Sequence, residues 1–185
     1  MLEFKDFEEK TIQRNEIFHG KIIDVVVDDV SLPNGGTSKR GVAVIALTSE
    51  NKMLFVRQFR KPLERVILEI PAGKIDPGEG ARPDLTGARE LEEETGYRAK
   101  TLEHVSSMYL SPGFANEILH VYYAKELEKV TNPLPQDEDE VLEVYELNLE
   151  QAQAAIADGT ICDAKTVFAI QFWELLELKR RNGLA

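Results

Sequence analysis

Gly73-Lys-Ile-Asp-Pro-Gly-Glu79, continuing through Arg89-Glu90-Leu91-Glu92-Glu93-Glu94-Thr95-Gly96-Tyr97, is the stretch on which the reading of this chain turns. Its second half predicts a helix over about residues 85–95, with Asp84 as N-cap and Gly96 as stop. At about 100° per residue, with Glu90 taken as zero, Glu94 falls near 40° and Glu93 near −60°. Ala88, Leu91 and Thr95 fall between roughly 100° and 160°, and Glu92 stands apart near 200°. Three carboxylates therefore share one face and small or apolar side chains the other. Like charges at these spacings destabilise a helix by a few tenths of a kcal/mol per pair, and a solvated acidic face is normally diluted with lysine or arginine. Hard divalent cations favour carboxylate oxygens, and Mg2+ combines a few of them with water and substrate phosphates. The trio reads as a metal platform; on geometry alone, a plain acidic surface helix competes with it. Gly87 is a weak point of the helix, costing roughly 1 kcal/mol relative to alanine.

Strand material lies on both sides of this helix. Residues 11–31 are strand-like, with Ile22-Ile23-Asp24-Val25-Val26-Val27 rich in β-branched residues, and Leu32-Pro33-Asn34-Gly35-Gly36 reads as a turn. Residues 42–47 form an apolar strand, Ser49-Glu50-Asn51-Lys52 a hairpin turn, and residues 53–58 the next strand. A short strand over 66–70 ends at Pro71-Ala72-Gly73, and Pro77, Gly78 and Gly80 mark an irregular loop. Beyond the helix, strands are expected over 101–108, 118–124 and 141–147, with the acidic run Asp137-Glu138-Asp139-Glu140 between the last two. Helices over 149–157 and from 165 to about 181 close the chain, the second capped by Asp163 and stopped at Asn182-Gly183. This order predicts a mixed α/β sandwich.

The 185 residues suffice for one core with a small accessory element. No apolar run approaches the roughly 18 residues of a membrane span. Residues 1–10 are charged, with no apolar signal region, so a cytoplasmic protein with no membrane partner is expected. A formal net charge of −11 argues against a nucleic-acid partner. It also implies that a phosphate compound would be held with the help of a divalent cation. The single cysteine, Cys162, cannot form an internal disulfide and reads as a buried or half-buried bystander. His19, His104 and His120 are far apart in sequence and mark no metal site or triad by themselves.

The segment 73–97 closely resembles the Nudix box: Gly, five residues, Glu, seven residues, then Arg-Glu-apolar-any-Glu-Glu-any-Gly-apolar. Gly73 and Glu79 match its first half, and Arg89, Glu90, Leu91, Glu93, Glu94, Gly96 and Tyr97 match its second without a gap. There is one departure. Nine residues rather than seven separate Glu79 from Arg89, the extra two falling within 80–87, where a loop absorbs them at little entropic cost. The resemblance implies an α/β (α+β) fold, the Nudix α/β/α sandwich with a mixed sheet, over residues 41–185. It implies that Glu90, Glu93 and Glu94, with the carbonyl of Ala72, bind Mg2+ or Mn2+. It also implies that Arg89 pairs with Glu79 to hold the loop, and it groups Arg89 and Glu93 with the catalytic residues.

Beyond the box, from about residue 8 to about residue 180, the chain looks most like the ADP-ribose pyrophosphatases of that family. Pro112, in Ser111-Pro112-Gly113-Phe114, stands sixteen residues after Gly96, an offset associated there with ADP-ribose specificity. Gln58-Phe59-Arg60 is similar to a strand end whose arginine contacts substrate phosphate, and Arg57 adjoins it. Glu69-Ile70-Pro71-Ala72-Gly73 is similar to an approach strand whose glutamate helps recognise adenosine. Residues 137–140 are similar to a loop that supplies a catalytic carboxylate, with Glu138 favoured as base and Glu140 as metal ligand, an order open to reversal. The resemblance thus implies Mg2+-dependent hydrolysis of the ADP-ribose diphosphate to AMP and ribose 5-phosphate. Arg57, Arg60, Glu69, Pro112 and Phe114 would be the substrate-binding residues. It further implies that residues 1–40 form an N-terminal antiparallel β element joining two copies into a homodimer, with Phe18 or Ile22-Ile23 at the interface. That part joins the core abruptly at residues 37–41. Taken singly, Pro112 reads as a turn proline, Arg60 as a surface arginine and 137–140 as a solvated loop. The rivals are a Nudix pyrophosphatase for a nucleotide sugar or dinucleotide, and a non-catalytic nucleotide sensor, which retention of Glu90, Glu93 and Glu94 disfavours.

Overall fold

Residues 42–46 are apolar at every position and buried at every position, so the strand they form must be covered on both faces. The computed structural model describes residues 11–21, 24–30, 40–75, 79, 81–113, 115, 117–136 and 141–184. The expectations placed on Ile22-Ile23, the turn at 32–36, Phe114, Glu138 and Glu140 lie outside the described residues. The elements run β1 (Thr11–His19), β2 (Asp24–Val30), β3 (Arg40–Ala46), β4 (Met53–Arg60), β5 (Arg65–Glu69), β6 (Ala72–Lys74), α1 (Pro83–Thr95), β7 (Tyr97–Tyr109), β8 (Ile118–Lys129), β9 (Leu142–Leu147), α2 (Leu149–Ala157) and α3 (Ala164–Arg181).

The strands form a four-stranded sheet in the order β6-β3-β8-β7, a three-stranded sheet β5-β4-β9 and the separate pair β1-β2. β3 and β8 are parallel, while β6 and β7 pair antiparallel at the two edges, so the sheet is mixed as expected. Alternation along β3 sets the layers. Ala43 and Ile45 pack with Met53, Phe55, Ile161, Ile170 and Trp173, the cluster that seats α2 and α3. Val44 and Ala46 pack with Leu54, Ala124 and Leu91, the buried anchor of α1. Burying a side chain such as Leu91 contributes about 1.5–3 kcal/mol.

Several boundaries differ from the sequence reading. α1 begins at Pro83, with Arg82 at the cap position, where its side chain makes no capping hydrogen bond. Asp84 is not the N-cap. Proline fits the first helical position, where its missing N–H leaves no bond unmade, and Asp84 is drawn into the first turn and ion-paired to Arg82 at 2.7 Å. Gly96 ends the helix as expected, in the left-handed region at φ 71°. Gly87 has a packing reason: a Cβ there would lie 3.1 Å from the Val42 side chain, so the glycine lets α1 approach β3 closely. β6 emerged only from pairing, with Ala72, Gly73 and Lys74 opposite Ala43, Val42 and Gly41. β7 and β8 run longer than expected: their pairing continues from Thr101 and Lys125 out to Tyr97 and Lys129, into charged sequence. Cys162 is exposed rather than buried, standing between the core residue Ile161 and the helix cap Asp163.

Asp163 caps α3 as expected, its carboxylate accepting the Lys165 and Thr166 N–H groups, and Asn148 caps α2 through a capping box with Gln151. β1 and β2 leave Ile12, Ile17, Phe18, Val25 and Val26 exposed. Among the described residues no helix is long and apolar enough to cross a membrane.

Candidate active site

α1 carries its acids to β6. Gly73 has no side chain, and the carboxyl of Glu90 fills the space beside its α-carbon, where a Cβ would overlap it. One turn on, Glu94 Oε2 accepts the Ala72 N–H at 3.0 Å, while Oε1 is buried and accepts no hydrogen bond among the described residues. Two carboxylates of the helix thus lie against one two-residue piece of strand.

Arg89 gathers the rest. Its Nη1 donates to Glu93 Oε2 at 2.7 Å, and its Nη2 lies 3.0 Å from Glu90 Oε1 and 3.7 Å from Glu79 Oε2. The expected Arg89–Glu79 pairing is therefore present, and the Thr86 hydroxyl donates to the same Glu79 carboxylate at 3.0 Å. Partial burial opposes the Arg89 charge, but Glu90, Glu93 and Glu79 outweigh it and hold the guanidinium above its ordinary pKa. Glu92, excluded from the cluster by its helical angle, is bound instead to Arg98 by two hydrogen bonds of 2.9 Å.

The donor chemistry of this corner fits a hard divalent cation: Glu90, Glu93 and Glu94, with the Ala72 carbonyl on the strand they pack against, offer only oxygen. They do not form a ready cage. Among the described residues no three acidic, histidine or cysteine side chains stand together to hold an ion, because Glu90 and Glu93 are turned to Arg89 and Glu94 to the Ala72 N–H.

A second group of charges lies at the ends of β4 and β5. Glu69 is 2% exposed, and its carboxylate accepts Arg60 Nε at 2.5 Å and Arg60 Nη2 at 2.8 Å, with Lys165 Nζ bonded to Oε2. Burial alone would raise the Glu69 pKa, but the bonds and charges of Arg60 and Lys165 bring it down from 4.5 to about 2. Burial likewise opposes the charge of Arg60. Glu69, with Glu94 and Asp163 farther off, keeps its pKa above the ordinary value, so the two groups of charges are electrostatically linked. Arg57 sits opposite Glu143 in the β4–β9 register and is paired with it at 2.8 Å. Pro112 is exposed in the turn after β7, where the Ala115 N–H donates to the Ser111 carbonyl at 2.9 Å.

Residues 37–168 match the NUDIX domain model. The chain belongs to the NUDIX domain family. It is 52% identical to the ADP-ribose pyrophosphatase of Bacillus subtilis (strain 168), over 94% of this chain and 96% of that protein. It is 51% identical to the methanol dehydrogenase activator of Bacillus methanolicus, over the same shares. The fold is also that of a solved ADP compounds hydrolase, with a TM-score of 0.66, 19% identity and coverage of 96% of this chain and 97% of that one.

Nine residues separate Glu79 from Arg89, and the structure still brings the two together just ahead of α1. There the Arg82 N–H reaches the Glu79 carbonyl at 2.9 Å. Sequence reasoning missed Lys165, which lies 96 positions from Glu69 and had only its place after a helix cap to mark it. It also missed that the fold joins two of the histidines: Ser107 Oγ lies 2.8 Å from both His104 Nε2 and His120 Nδ1. A register shift in β7 between His104 and Ser106 turns His104 and Ser107 to one face, which strict alternation would not do.

Proposed function

We propose that this chain is a Mg2+-dependent pyrophosphohydrolase that splits the diphosphate of ADP-ribose into AMP and ribose 5-phosphate. The observation that carries the reading is the seating of Glu90 and Glu94 of the Nudix helix against Ala72 and Gly73 of β6, in a chain with so similar a relative named ADP-ribose pyrophosphatase. Glu90, Glu93, Glu94, the Ala72 carbonyl and Glu140 would hold Mg2+ or Mn2+, whose chemistry when bound is to neutralise the diphosphate and ease deprotonation of water.

The chain's own residues do the rest. Arg60 and Arg57 draw the phosphates toward an otherwise acidic protein. Glu69 fixes Arg60 on the adenosine side, and Pro112 and Phe114 shape the specificity loop. Glu138 accepts the proton of the attacking water. The water oxygen bonds to one phosphorus as the bridging P–O bond breaks. Arg89 keeps Glu79 and the loop in place and spaces Glu90 from Glu93.

Residues 41–185 form the catalytic domain in this reading. Residues 1–40 pair two copies into a cytoplasmic homodimer, through apolar side chains of β1 and β2 that a single copy leaves exposed. Nucleic acid is no partner, given the net charge of −11.

A panel of ADP-ribose, ADP-glucose, GDP-mannose and a dinucleotide polyphosphate, each with Mg2+, tests the substrate. ADP-ribose should give the highest kcat/KM, and a clearly higher value for any other member would overturn the choice. The relative named methanol dehydrogenase activator supports a second reading, in which turnover by this chain serves to raise a dehydrogenase's rate. Adding catalytically active protein to a methanol dehydrogenase assay separates that role from simple clearance of ADP-ribose.

A further inference from the structure

We infer that Lys165 is a positioning residue for the substrate arginine Arg60, acting through the buried carboxylate of Glu69. The inference rests on the proposed role of Arg60 and deepens it.

Four charged side chains form a continuous line from the first turn of α3 to the end of β4. Asp163 Oδ1 lies 3.1 Å from Lys165 Nζ, Lys165 bonds Glu69 Oε2, and Glu69 takes Arg60 by both Nε and Nη2. The line balances two cations against two anions. Glu69 is 2% and Lys165 10% exposed at their side chains, whereas Arg60 is 39% exposed. Arg60 is therefore the end of the line that a ligand can reach, with Nη1 left to donate after Nε and Nη2 are spent on Glu69.

A two-pronged bond to a carboxylate fixes the plane of a guanidinium, but only as firmly as the carboxylate itself is held. Lys165 grips the Glu69 carboxylate from the helix side. The helix turn that delivers Lys165 is itself tied to the same strand end, since the Ile70 N–H donates to Thr166 Oγ1 at 2.9 Å. Ile70 leads directly into Pro71, Ala72 and Gly73, so the turn holds both Arg60 and the approach to the Nudix acids. A purely structural ion pair would need only Lys165 and Glu69. The doubly bonded, half-exposed arginine at the far end gives the line a second use. Removing Lys165 leaves Glu69 free to rotate with Arg60, and a displacement of about 1 Å in a substrate-holding group costs up to about a hundredfold in rate or affinity.

The test is K165M in the full chain, with K165R as the charge-keeping control. K165M should raise KM for ADP-ribose about tenfold with kcat within about threefold, and K165R should restore most of the loss. In an R60A background K165M should add nothing, because the two residues act as a unit. The Arg60 Nε–H resonance, assigned by its loss in R60A, should exchange with water at least about tenfold faster in K165M. An unchanged KM, a KM effect of full size in the R60A background, or an unchanged Arg60 resonance would each overturn the inference. Should K165M not fold, K165Q carries the same expectations. A wild-type protein that leaves ADP-ribose intact would strike the proposed function alone, and the Arg60 resonance would still decide for or against Lys165.

Discussion

The carboxyl group of Glu90 occupies the space beside the Gly73 α-carbon where a side chain would otherwise stand. The atoms an added methyl would meet belong to the end of a flexible side chain, not to backbone, so the fold can yield by moving Glu90. G73A should therefore lose no more than about 1–3 kcal/mol of stability. Its kcat/KM should nonetheless fall by about a hundredfold or more, because Glu90 is displaced from the strand it shares with the Ala72 carbonyl. Urea unfolding and steady-state kinetics on the same preparation check this; wild-type kcat/KM in G73A would remove Glu90 from the site.

Arg89 offsets the mutual repulsion of Glu79, Glu90 and Glu93. Without it the carboxylates are left to repel one another, and a divalent cation is the remaining means of neutralising them. R89A should melt at a lower temperature than wild type and gain more from added Mg2+. Scanning calorimetry at several Mg2+ concentrations reads both effects. Equal Mg2+ gains in the two proteins would mean that the cation does not bind among the acids Arg89 holds.

Glu69 ionises at about 2 in the folded chain against an ordinary 4.5. Its folded pKa is depressed, so its contribution is complete above about pH 4.5 and is lost as the pH falls toward 2. The amount at stake is on the order of 3 kcal/mol. Stability measured by urea unfolding should fall more steeply between pH 4.5 and 2 in wild type than in E69Q, and the two slopes should agree above pH 5. Matching slopes throughout the acid range would contradict the burial of an ionised Glu69.

Phe18 is 59% exposed on β1, registered opposite the exposed Val25 of β2. If this face joins two copies, F18E should convert a dimer to a monomer while leaving the melting of the core within a few degrees. Light scattering at micromolar concentration decides: a monomeric wild type, or a dimeric F18E, rules out the proposed interface.

The parts of the fold legible in sequence were those encoded within one element. Helical spacing put Glu90, Glu93 and Glu94 on one face and set Glu92 aside, and Glu92 is indeed bound elsewhere, to Arg98. The unbroken apolar run over 42–47 marked a strand, which the structure buries along its length, and Asp163 and Gly96 marked helix ends. What was not legible depends on partners distant in the chain. β6 exists because Gly73 meets Val42, the Arg57–Glu143 pair spans 86 positions, and the Lys165–Glu69 bond spans 96. The Asp84 cap was misplaced because Pro83 outranks it as a helix start.

The most direct test of the central claim, that the acids of α1 support diphosphate cleavage with a divalent cation, is product analysis after incubation with ADP-ribose and Mg2+. Three samples suffice: wild type, wild type with EDTA, and E94Q. AMP and ribose 5-phosphate are expected in the first and intact ADP-ribose in the other two. AMP formed at the same rate in all three would contradict that claim.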